Sequence, residues 1–168
     1  MKVAIGGTRA GTFAKYLAFG LTVLLAAFGG AFLIGETVMD PGGPVVVASV
    51  VCWGVATVAL AAYALWRPGP ATRTLTVLAI VVAAFIVADL VLRFVPRGLG
   101  PAGSACALAV ATGLGFLGVR RPAAAGRLLL LVGVAAVGAG GSGVALAGPV
   151  LVIAALFLLA GVSSRRTS

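Results

Sequence analysis

Histidine is missing from this 168-residue chain, and acids are nearly so: Glu36, Asp40 and Asp89 are the only three. Without histidine the chain lacks both the commonest general base and the commonest metal ligand. A serine–histidine pair is impossible, and two cysteines set far apart, Cys52 and Cys106, make no metal-binding cluster. The glycine-rich stretch from Gly138 to Gly143 lacks the Lys-Ser/Thr that completes a phosphate loop. The chain therefore reads as a non-enzyme, with no metal and no cofactor expected.

Charge is scarce as well. Charged residues make up 9% of the chain and apolar ones 62%, whereas a soluble domain is about a quarter charged. A water-soluble fold of this length leaves too much of itself at the surface to hide that apolar excess. A lipid bilayer removes the difficulty and is the first partner expected. Both cysteines fall inside apolar runs, so buried apolar packing is expected of them and a disulfide is not. The net charge of +9 comes as small basic groups between long uncharged runs. That is not the basic stripe of a nucleic-acid binder, and no nucleic acid is expected. The groups read as orientation signals, with contact to anionic lipid heads as a further use.

A transmembrane helix needs about 20 apolar residues. The uncharged runs give an all-α fold, a polytopic transmembrane bundle forming a single domain over 1–168. Its expected spans are 16–35, 44–66, 74–95, 101–119, 128–146 and 149–164. The last two come from one run that as a single helix would be roughly 55 Å long, against a hydrocarbon core of about 30 Å. Gly140, Gly141, Gly143 and Gly148 supply a place to turn within it.

Orientation favours six spans over five. Lys2, Arg9 and Lys15 precede the first span, and Arg67 and Arg73 separate the second from the third. Arg120, Arg121 and Arg127 separate the fourth from the fifth, and Arg165 and Arg166 follow the last. Six spans put all four groups on one side, which the positive-inside rule makes cytoplasmic, with both termini there. Arg93 and Arg97 fall on the other side. Tyr16, Tyr63 and Trp66 sit at the inner interface expected of amphipathic rings, while Trp53 lies mid-span. The first apolar run exceeds the roughly 7–15 residues of a signal peptide core and is expected to be retained.

The basic pairs repeat. Arg9 and Lys15, Arg67 and Arg73, and Arg121 and Arg127 are each six apart, and each following run reaches a proline: Pro44, Pro101 and Pro149. This reads either as three tandem helical hairpins in one orientation or as the likeness of all basic loops in hairpin proteins. Small residues recur every fourth position at Ala48, Cys52 and Ala56 and again at Ala105, Ala109 and Gly113. Such stripes let backbones approach, and packing within the bundle is expected of them. A dimer face is the sharper reading of the stripes; beyond the lipid, the partners expected are other membrane subunits or a second copy of the chain.

Asp89 interrupts the third run, with Arg93 one helical turn on. A carboxylate costs about 2.5–3.5 kcal/mol at a span centre and less near the headgroups, and the two residues are spaced to pair. A structural pair is one reading; a proton or cation relay, or a ligand contact, is the other. Glu36 and Asp40 close the first hairpin beside the Asp40-Pro41-Gly42-Gly43 turn. Glu36, Asp40, Asp89, Arg93 and Arg97 together form the candidate polar patch on the outer side.

Gly35-Glu36 with Asp40-Pro41-Gly42-Gly43 after a first span, followed later by Arg120-Arg121-Pro122, resembles small multi-pass membrane proteins of unknown function from high-GC actinobacteria. The resemblance covers most of the chain, rests on a turn and a basic loop, and implies a bacterial inner-membrane protein with no activity or site residues to carry over. The function expected from the residues is binding, as an accessory subunit or scaffold. The alternative is a transporter or channel component for a small solute or lipid using Asp89 and Arg93.

Overall fold

Alanine, leucine and valine fill the long runs, and proline stands at the start of several of them, where its missing N–H has no helical partner to lose. Among the described residues six helices result: α1 (Ala4–Met39), α2 (Pro44–Trp66), α3 (Pro68–Leu92), α4 (Gly100–Arg120), α5 (Pro122–Gly138) and α6 (Ser142–Arg165). This is a computed structural model. It describes the backbone of residues 4–39, 44–92, 100–138 and 142–165. Side chains are described within those stretches except at 4–8, 33, 36–39, 44–46, 49, 89–92, 100–105, 138, 142–146, 164 and 165. Among the described residues the chain is all-α, with no strand.

The helices overrun the uncharged stretches from which spans were expected. α3 starts at Pro68 rather than 74, so Arg73 lies on the helix, and α5 likewise starts at Pro122 and carries Arg127. A single arginine near a helix start does not interrupt backbone hydrogen bonding, so charge marks a helix boundary poorly. The break in the last run falls between Gly138 and Ser142, and α6 continues through Pro149.

One residue separates α2 from α3, and one separates α4 from α5. The Arg67 amide donates to the Tyr63 carbonyl at 3.0 Å, and the Arg67 carbonyl accepts from the Ala71 amide at 3.0 Å. Arg121 does the same between Leu117 (2.8 Å) and Ala125 (3.1 Å). Each arginine ends one helix and begins the next. A residue before proline is pushed from the helical to the extended region, which bends the chain there. Leu60 and Leu75 would stand about 22 Å apart on one straight helix. Instead both flank Gly113, whose added Cβ would lie 3.1 Å from Leu60 Cβ and 3.2 Å from Leu75 Cδ2. The chain therefore doubles back at Arg67.

Packing does not follow the expected hairpin pairs. Only α5–α6 is a close pair among them; α1 lies mainly on α6 and α4, and α2 mainly on α4. α4 touches all five other helices, which ring it in the order α1, α2, α3, α5, α6, with α2 making slighter contacts to its ring neighbours. α4 can take the centre because glycine, alanine, serine and threonine supply much of its sequence, Gly-Pro-Ala-Gly-Ser-Ala-Cys at its start. From Ala107 to Gly118 it is buried throughout except at Phe116, whose ring meets Phe19 edge-on at a centroid distance of 5.1 Å.

Glycine sets the closest approaches. Gly126 of α5 faces Leu158 of α6, Gly133 faces Leu151, and Gly161 faces Ala123. Each step forward along α5 is matched by an equal step back along α6, as an antiparallel register requires. A Cβ on Gly118 would occupy the space of the fully buried Phe157 ring, and one on Gly115 that of Thr22. These glycines admit either a large side chain or the neighbouring backbone.

Candidate functional site

The expected outer patch divides between described and undescribed residues. Glu36 lies on the last turn of α1 and Asp89 on the last turn of α3; their backbones are described and their side chains are not. Asp40, Arg93 and Arg97 lie outside the described residues. α1 runs antiparallel to α4, since Gly115 faces Thr22 and Gly29 faces Leu108. Leu75 near the start of α3 meets Gly113 on the second half of α4. The far ends of α1 and α3, with Glu36 and Asp89, therefore share the end of the bundle at which α4 begins.

The opposite end gathers the cations. Arg67 and Arg121 stand at the two reversals, Arg120 ends α4, and Arg73 and Arg127 follow on α3 and α5. Arg9 and Lys15 join them on α1, because Gly11 faces Ser163 at the far end of α6. These arginines are exposed. The Lys15 ammonium lies 5.0 Å from the Tyr16 ring centroid, within the range of a cation–π contact. Trp66 is 83% exposed beside Arg67.

Among the described residues the interior offers little chemistry. Thr22, Thr57 and Thr112 are buried, and each hydroxyl donates to a carbonyl four residues back: Ala18 at 2.9 Å, Trp53 at 2.8 Å and Leu108 at 2.8 Å. Hydroxyls bonded to their own helix are satisfied and solicit no ligand. The Trp53 ring packs where a Cβ on Gly30 would stand, and its buried indole N–H has no acceptor. No group of three or more Cys, Asp or Glu suited to a metal occurs among the described residues.

Two expectations about small residues need correction. Cys52 and Cys106 are free and exposed, not buried. Ala48, Cys52 and Ala56 face outward on α2 instead of packing within the bundle, whereas Ala109 and Gly113 are buried on α4. Four-residue spacing defines a helix face but not the direction it turns, and α2 turns a different face to α4. The Arg-Pro reversals and the glycine seats were not read from the sequence as such. Their signals were present: two Arg-Pro dipeptides between apolar runs, and Gly126 and Gly133 two turns apart.

No known protein family, curated protein or solved structure matches the chain.

Proposed function

We propose that this chain is a multi-pass membrane protein, with six spans and both termini cytoplasmic, that works by binding, as an accessory or scaffold bundle within a larger membrane assembly. The carrying observation is the apolar outer face of the ring of helices. Each of the five outer helices turns large apolar residues outward: Phe28 (73% exposed), Val58 (69%), Val77 (60%), Val134 (57%) and Leu159 (63%). Inside, alanine and glycine let the helices approach around fully buried Leu75, Leu114, Leu117 and Phe157. Water would penalise that outer surface, which far exceeds the isolated apolar patches soluble monomers carry. Lipid accepts it, and helices in lipid associate through small residues.

Length is consistent with this reading. Arg9–Phe32 and Pro68–Ala88 are long and apolar enough to cross a bilayer. The other described apolar segments, Val50–Trp66, Cys106–Arg120, Pro122–Val137 and Ala147–Ser163, are shorter, although α2 as a whole runs 23 residues without a charge. The cations gathered at one end support a cytoplasmic assignment for that end. The bacterial inner membrane is the location implied by the resemblance.

A transporter reading centred on Asp89 and Arg93 has less support. α4 fills the axis of the bundle, and among its described residues the buried polar one, Thr112, is bonded to its own helix. A polar pathway needs groups that face it. Purification in mild detergent tests the choice. Co-elution with other membrane subunits in stable proportion is expected. Solitary elution, together with a solute flux abolished by Asp89→Asn, would establish the transporter reading instead.

A further inference from the structure

We propose that α1, α3 and α5 each carry a seat for an anionic phospholipid, with its headgroup on Arg9, Arg73 or Arg127 and an acyl chain lying along the outward stripe that follows. The inference rests on the membrane reading above and adds a ligand class to it.

Three helices begin alike at the basic end. On α3, exposed Arg73 is followed by exposed Val77 and Val81, each one turn further along one face. On α5, exposed Arg127 is followed by exposed Leu131 and Val134. On α1, exposed Arg9 is followed by exposed Phe13 and then Leu17. A cation with an apolar stripe directly beneath it suits a ligand that is anionic at one end and hydrocarbon at the other. A nucleic acid or an acidic protein segment would leave the stripe uncovered. A free phosphate would use only the arginine.

Two further observations point to the same ligand. The reversals place Arg67 and Arg121 at the same end, with Trp66 exposed beside the first, so the local potential is positive and carries an interfacial ring. Glu36 and Asp89 stand at the other end, so their charges are too distant to neutralise the seats. An orientation signal needs only the number of cations. It does not require Arg9, Arg73 and Arg127 each to stand at the head of an outward apolar stripe.

Native mass spectrometry of the full chain in detergent, given equal amounts of dioleoyl phosphatidylglycerol and dioleoyl phosphatidylcholine, tests the proposal. A basic residue near an anionic surface contributes about fivefold in affinity, so anionic adducts should exceed zwitterionic ones by at least that factor. The paired variant R73Q/R127Q should lower the ratio by at least about fivefold, while R73K/R127K should keep most of it. Equal retention of the two lipids by the native chain would overturn the proposal, as would a ratio unchanged in R73Q/R127Q. Recovery of the chain in the aqueous phase without detergent would overturn the membrane reading itself, which separates the two failures. Because both arginines are exposed, the native-chain comparison stands even if a variant is recovered poorly.

Discussion

At the residue scale, glycine decides how close the helices come, and its positions differ sharply in what they tolerate. A Cβ on Gly161 would lie 3.0 Å from both Cα and N of Ala123, and one on Gly126 would lie 2.9 Å from the Leu158 amide nitrogen and 3.0 Å from the Ala154 carbonyl oxygen. Backbone atoms cannot rotate away as a side-chain tip can, so the two helices would have to separate. Gly161→Ala is therefore expected to destabilise the bundle by about 1–3 kcal/mol, the usual range for overpacking. Gly20 is the internal control, since a Cβ there meets nothing within 4 Å. Gly20→Ala should be neutral or stabilising by up to about 1 kcal/mol, because alanine is the better helix former. Unfolding in detergent, followed by circular dichroism, reads both. Equal effects of the two substitutions would mean that α5–α6 contact does not depend on this close approach.

At the element scale, proline plays opposite parts at two positions. Pro122 disfavours the helical region for Arg121, which joins α4 to α5, and so favours the return of α5 alongside α4. Pro149 stands inside α6 and deprives the Ala145 carbonyl of its helical donor. Pro122→Ala should lower stability, by about 0.4–1 kcal/mol through the freed chain alone. Pro149→Ala should be neutral or raise stability, by up to about 3 kcal/mol if no strain offsets the restored bond. The same unfolding assay applies, and a matching sign for both would refute the assignment. Helical class was legible in the sequence because apolar runs of this length have few other outcomes. Helix boundaries were less so, because Arg73 and Arg127 sit on helices that the charge pattern starts only after them. The packing order was hidden for a different reason: chain order pairs α1 with α2, but the small residues of α4 draw four other helices closely to it. The candidate patch was legible only as positions. Glu36 and Asp89 share one end through their backbones, and no spacing rule reports whether their side chains meet.

At the scale of the whole molecule, the described arginines gather at one end and large apolar residues are exposed on the described sides, which under the proposed membrane reading leaves one way of sitting in a bilayer. The end with Arg67, Arg121 and the starts of α1, α3 and α5 faces the cytoplasm on this reading, and the break between Gly138 and Ser142 faces out. Single cysteines, placed by Ser142→Cys or Ser168→Cys in a background with Cys52 and Cys106 replaced by alanine, test it in intact cells. The background is needed because both native thiols are exposed on the helices. A membrane-impermeant maleimide should label the first site in intact cells and the second only after the membrane is opened. Labelling of Ser168→Cys from outside would mean an odd number of spans. α5 or α6 would then not cross; α5 is the shortest of the described helices, at 17 residues. A hydrophobic core of about 30 Å exceeds the roughly 25 Å that 17 residues rise. The mismatch need not exclude a span: Arg127 on α5 can extend toward the headgroups, and the bilayer can thin locally at a modest energy per ångström. If α5 does cross, thicker bilayers should destabilise the protein more than thin ones. Unfolding in vesicles of increasing acyl length should show that trend, and a flat response would argue that α5 lies short of the far leaflet.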